Sequence, residues 1–223
     1  MDELLTITPT SLRRFMARWH GPPSSELDSS AGSDGGATDG VRDGIRDALA
    51  TFTAYRHVPL QNRIIGDILS SDGLGIHMVY AEKQDVWLWG YRELDDGAVE
   101  FVERRNRPGQ RWRAVGEDVD TFFVHLAAFE AAWCAPFALW SCDVTRAELP
   151  QALRGFAPVA TSSWVYPGPG HRLWATEHLL AFSCVNQEPG SDVGSDAVHW
   201  VTVASRDPAA LEVMRDRPGR FQD

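Results

Sequence analysis

Lysine is almost absent from this chain. Lys83 is the only one, and the other 20 of its 21 basic residues are arginines. Chemistry that needs a lysine amine, such as a Schiff base or the lysine of a phosphate-binding loop, could fall only on Lys83, which lies in no glycine-rich loop. Cysteine is scarce as well. Cys134, Cys142 and Cys184 make an odd number, with no Cys-x-x-Cys pair and no zinc-like Cys–His spacing, which predicts free thiols in a reducing compartment. No run approaches the roughly 18 apolar residues of a membrane span, and the opening MDELLTITPT lacks the basic and apolar regions of a signal peptide. The expectation is a cytoplasmic protein without membrane contact.

The familiar enzyme motifs are missing too. There is no GxSxG, GxxxxGK[ST], GxGxxG, HExxH or EF-hand loop. Seven histidines are scattered along the chain. His171 and His178 lie seven apart around an expected strand start, and odd spacing puts them on opposite faces, against a shared metal. His125 and His199 sit alone on apolar elements and read as satisfied core or surface residues. Asp95-Asp96 is turn chemistry, while Glu117, Asp118 and Asp120 suit a helix N-terminus. These patterns predict no catalytic residue, no metal and no cofactor.

What the chain has in excess is acid. Thirty-one Asp and Glu against 21 bases leave a formal charge of −10, which disfavours nucleic acid and anionic membranes and favours a basic partner. The one basic cluster, ERRNRPGQRWR, places Arg104, Arg105, Arg107, Arg111 and Arg113 around Trp112. Such interleaving can bind single strands, but here it flanks a hairpin turn and reads as a solvated loop tip. Nine tryptophans and 43% hydrophobic residues are enough for a core without staples, and most of the tryptophans are expected inside it.

Periodicity sets out the elements. Thr8 and Pro9 read as cap and first turn of a helix carrying Leu12, Phe15, Met16 and Trp19, ended by Gly21-Pro22-Pro23. Residues 22–40, rich in Ser, Gly and Asp, read as a flexible loop, and 41–55 as a helix with Val41, Ile45, Leu49 and Phe52 on one face. Strands are expected at 76–82, 86–93, 98–105 and 111–115, with Asp95-Asp96-Gly97 as a hairpin turn. A helix follows from Glu117 to Trp133, packing on the sheet through Phe122, Phe123, Leu126 and Phe129. Thr145 and Glu148 form a capping box. Strands at 173–185 and 197–206 are joined by a long polar loop, and Asp207-Pro208 opens a closing helix to about Arg215. The fold class is α+β: an antiparallel meander flanked by helices, in a single domain over residues 1–223.

The stretch from Val79 to Phe129 resembles the central segment of bacterial members of the SUKH superfamily, which includes immunity proteins of polymorphic-toxin systems and fungal cell-wall regulators. The matching residues are Ala81, Glu82 and Gln84 in a turn, Trp87 and Trp89 on the next strand, Trp112, and Phe122-Phe123 on the helix. The early helix LRRFMARWHG resembles the family's opening helix. The chain departs from the pattern at Lys83, where Asn is expected, at Gly97-Ala98, where a proline turn is common, and in the 22–40 insertion.

The resemblance implies binding, not catalysis: a bacterial immunity protein that neutralises a cognate toxin domain, for example a basic nuclease or deaminase. An acidic surface would steer that encounter. The partner-binding face expected on this basis comprises Glu82, Asp85, Glu93, Asp95 and Asp96, with Trp87 and Trp89 as anchors. The rival reading is a small-molecule or peptide-sensing domain that uses a Trp-lined groove on the sheet.

Overall fold

A computed structural model of the chain describes residues 1–24, 37–55, 58, 60–65, 75–187, 194 and 197–223. Most of the expected 22–40 loop, residues 25–36, and most of the 186–196 connection therefore lie outside the described residues. The chain divides into two compact units, Ile7–Val124 and Met1–Thr6 with His125–Asp223. Helices accompany two five-stranded antiparallel sheets, the α+β class that the periodicities predict. No described helix is long and apolar enough to cross a membrane.

The chain opens with a single turn, α1 (Asp2–Leu5), whose Leu4 C=O accepts from the Ala160 N–H of its own unit. In the Ile7–Val124 unit, α2 spans Ser11–His20 and buries Leu12, Phe15, Met16 and Trp19. It starts later than Thr8 and Pro9 suggest, because the Thr8 N–H is taken by Ser11 Oγ at 2.9 Å and Thr10 becomes the cap residue. Helix α3 spans Ala37–Ala54, so residues 37–40 are helical rather than loop, and it buries Ile45, Ala48 and Phe52.

The first sheet is a meander of β1 (Arg63–Ile64), β2 (His77–Ala81), β3 (Trp87–Glu93), β4 (Val99–Arg105) and β5 (Arg113–Ala114). The β3–β4 hairpin closes as its sequence predicts. Gly97 takes φ +81°, and Asp96 Oδ1 accepts from the Ala98 N–H at 2.9 Å. Helix α4 (Val119–Trp133) meets this sheet through Phe122, whose ring stacks on Phe101 at 4.1 Å, and Phe123, edge-on to the same ring.

The other unit contains the larger departures from expectation. Strand β6 (Phe137–Thr145) falls where no element was expected. The Thr145–Glu148 box forms, with the Thr145 N–H donating to Glu148 Oε2 at 3.0 Å and the Glu148 N–H to Thr145 Oγ1 at 3.3 Å, but it opens only the short α5 (Leu149–Ala152). After β7 (Ala157–Pro158), the single strand expected at 173–185 is a hairpin of β8 (Arg172–Ala175) and β9 (Leu179–Val185). It turns because Thr176 Oγ1 accepts from the N–H groups of His178 and Leu179. Strand β10 (Val198–Ser205) and helix α6 (Pro208–Arg215) complete the chain. The sheet order is β6-β10-β9-β8-β7. One face packs Leu139, Val144, Val201 and Val203 against Leu153, Leu211, Met214 and Phe221.

Candidate functional site

The expected partner-binding residues do not form one face. Trp89 is fully buried, its ring 4.8 Å from Tyr80, and buried Trp87 donates its indole N–H to Glu103 Oε2 at 3.1 Å. Neither is available as a surface anchor, because alternate residues of a strand covered on that side point into the core. Glu82 is buried as well: its carboxylate accepts from the N–H groups of Gln84 and Val86 and so folds the β2–β3 turn. Asp85 is exposed at that turn, with a positive φ of 56° and an ion pair to Arg63 at 2.8 Å. Glu93, bound by Arg42 at 2.6 Å, lies with Asp95 and Asp96 at the opposite end of β3. Seven strand residues separate the two groups, a distance of about 20 Å or more.

The second sheet carries a site that no sequence motif announced. On the face opposite the Leu139–Met214 core, cross-strand pairing places Trp140 of β6, Thr202 of β10, Phe182 of β9 and Leu173 of β8 in one row. The neighbouring row contains Ala138, Ala204 and Leu180. A small Thr202 between two large rings leaves a dip, and small Ala138 extends it. Trp133, from the last turn of α4, closes one side: it stacks on Phe182 at 5.3 Å and 8° and meets Trp200 at 5.4 Å and 66°. No ring contact reaches Trp140 among the described residues, and Trp140 remains 38% exposed.

The result is a groove of about 470 Å³ lined by Trp133, Ala138, Trp140, Cys142, Phe182, Asn186, Trp200 and Thr202. The lining contains no Asp, Glu, Arg, Lys or His. Asn186 donates to the Cys142 carbonyl at 2.9 Å, tying the end of β9 to β6 where the β6–β10 register shifts beside Trp200. The Trp200 indole N–H is shielded from water and has no acceptor among the described residues. A groove of this kind can hold an apolar or aromatic group, but it offers no base next to a nucleophile. Cys184 lies on the same face, and burial pushes its thiol up to about 12, which keeps it protonated and inert.

Beneath Phe182 lies a packed cluster of rings. His171 stands 5.4 Å from His125, 5.2 Å from Phe129 and 5.8 Å from Phe182, and it is fully buried. Neither of its nitrogens has a hydrogen-bond partner among the described residues. Burial first, and the neighbouring His125 second, hold its pKa well below the ordinary histidine value. His178, by contrast, is exposed in the β8–β9 turn, so the two histidines do not converge. Among the described residues, no group of three or more His, Cys, Asp or Glu side chains is placed to hold a metal ion.

The basic cluster is a hairpin tip. Residues 106–111 are exposed, and the Arg104 guanidinium lies over the Trp112 ring at 4.6 Å. No family model matches the chain, and neither a curated protein nor a solved structure does.

Proposed function

We propose that this chain is a non-catalytic binding protein whose ligand, a small molecule or a short peptide segment, enters the aromatic groove of the second sheet and is sensed there. The observation that carries this reading is the Trp140–Thr202–Phe182 row, in which a short side chain stands between two aromatic walls and one wall is left open to solvent. At about 470 Å³ the groove falls within the range of small-molecule sites, and its lining is apolar with a few neutral polar groups, as such sites are. Tryptophan is among the residue types enriched at binding hot spots, which suits the 38% exposed Trp140 to an anchoring role.

The test is a ligand screen by thermal shift, run on the wild type and on Trp140→Ala. A ligand of the groove raises the wild-type Tm progressively as its free concentration exceeds Kd and loses that effect in Trp140→Ala. Because the Trp140 ring is over a third exposed, the variant itself stays folded. Hits that act equally on both proteins would sink the proposal.

A second reading is favoured by a different observation. Asp95 and Asp96 stand exposed at the β3–β4 hairpin with no ion pair to a base among the described residues, in a chain of formal charge −10. Together with the resemblance to SUKH immunity proteins, this supports neutralisation of a basic toxin domain by direct binding. Calorimetry with the polypeptide encoded beside the gene, at two salt concentrations, tests it. Tight binding that weakens with salt is expected, and no binding to a toxin-like neighbour removes the reading.

A further inference from the structure

We propose that the His125–Asp223 part of the chain carries a further binding site, for a small carboxylate with an apolar body, beneath α5 and beside Arg154 and Arg217. It lies on the opposite face of the sheet from the aromatic groove and shares no lining residue with it. Two features define it, an apolar hollow and a pair of cations at its edge.

The hollow follows from the packing of the core face. Strand pairing places Leu139, Val203, Ala181 and Trp174 in one row. Leu149, Leu153 and Phe156, from α5 and the turn after it, pack over the end of that row. Helix α5 is only four residues long. The cover is therefore incomplete, and a hollow of about 370 Å³ remains between Trp174 and the segment from Leu149 to Phe156. That volume lies within the range of small-molecule sites. Leu149, Pro150, Leu153, Phe156 and Trp174 give it apolar walls. The Trp174 indole N–H is already bonded to Ser183 Oγ at 2.9 Å, so it needs no acceptor from a ligand.

The charge comes from two arginines. Arg154 lines the hollow, and the Arg217 guanidinium stands over the Phe156 ring, 5.7 Å from its centre. Arg217 Nη1 donates to the carbonyls of Ala152 and Arg154, each at 2.8 Å. These bonds fix the guanidinium and leave its Nε and Nη2 protons without a partner among the described residues. Burial first, and the Arg154 charge second, push the Arg217 pKa below the ordinary arginine value, although the group stays protonated at neutral pH.

Neither arginine has an ion pair with an acid among the described residues. Elsewhere the chain pairs Arg42, Arg63 and Arg92 with carboxylates, and it carries ten more acids than bases. Two neighbouring cations therefore lack the partner that the rest of the surface supplies. A ligand carboxylate would fill that role through charge-assisted hydrogen bonds, for which a fixed guanidinium fork is well shaped. The same two charges repel a cationic ligand, and a bare inorganic anion would leave the apolar walls unused.

The experiment uses the full chain with 15N-labelled indoles and three probes at pH 7.5: 3-phenylpropionate, its neutral amide 3-phenylpropanamide, and acetate. 3-Phenylpropionate is expected to move the Trp174 Nε1–H resonance in a saturable way and to leave that of Trp140 unchanged. The amide lacks the charge and acetate lacks the apolar body, so each should bind about tenfold more weakly or worse. Arg217→Gln would also give up the two carbonyl bonds, so Arg154→Gln, at an exposed position, is the deciding variant. It should weaken 3-phenylpropionate several-fold and leave the amide unaffected.

Equal binding of 3-phenylpropionate and its amide, or equal binding by wild type and Arg154→Gln, would overturn the assignment of a carboxylate. Acetate binding as tightly as 3-phenylpropionate would overturn the role of the apolar hollow. A response at Trp140 with none at Trp174 would overturn this site and leave the groove reading standing. No response at Trp174 to any probe also overturns it, and the groove reading, tested at Trp140, is judged separately.

Discussion

Replacing His171 with Phe should remove a pH dependence from the stability of the second unit. His171 is fully buried among His125, Phe129, Trp164 and Phe182, with both nitrogens unpartnered among the described residues. Its pKa is held well below the ordinary 6.5, so in the folded chain it stays neutral as the pH falls. The unfolded chain takes up a proton at the ordinary value. Below pH 6.5 the unfolded state therefore binds more protons, and stability declines as pH drops toward the folded-state pKa.

One proton is worth up to about 1.4 kcal/mol per pH unit, which integrates to about 1 kcal/mol between pH 6.5 and 5.5. That corresponds to roughly 2–4 °C in Tm for a chain of this size. His171→Phe has a similar shape, removes two buried unpaired polar atoms and should be neutral or stabilising at pH 7.5. Urea denaturation followed by tryptophan fluorescence across pH 5.5–7.5 gives the comparison. If wild type and His171→Phe lose stability with the same slope, His171 is not buried as a neutral ring and the reasoning fails.

Three further outcomes follow from other parts of the fold. Iodoacetamide labelling read by mass spectrometry should modify exposed Cys142 in the native protein, while Cys184, buried and with its pKa raised to about 12, reacts only after unfolding. Gly90→Ala should cost about 1–3 kcal/mol in chemical denaturation, because the added methyl would stand 2.6 Å from the His77 carbonyl oxygen and 2.8 Å from Ile76 Cγ2. Asp207→Ala should cost about 1 kcal/mol, measured in the same way, since Asp207 Oδ1 accepts from the Ala209 N–H at 3.0 Å as the N-cap of α6.

The features the sequence determined by itself are those written within a few residues of each other. Asp95-Asp96-Gly97 closes a hairpin because Gly97 alone must take a positive φ. Asp207-Pro208 opens α6 because a short carboxylate and a missing N–H suit a helix start. The meander strands were legible for the same reason, since their runs alternate or stay apolar between turn residues.

Tertiary structure decided the rest. Strand β6 hides in FALWSCDVT, where Ser, Cys and Asp blur the apolar pattern, and only pairing with β10 along its length makes it a strand. The β8–β9 turn hides in Thr-Glu-His, which lacks Gly, Asn and Pro; the Thr176 hydroxyl supplies the bonds that such residues would otherwise favour. Nothing local separates Trp89, fully buried, from Trp140, 38% exposed, because both are indoles on strands. What separates them is which neighbour reaches each one: Tyr80 packs on Trp89, whereas the rings of α4 reach Phe182 and Trp200 but stop short of Trp140. The aromatic groove arises from that gap, which is a matter of packing across strands distant in the chain, and no window of the sequence contains it.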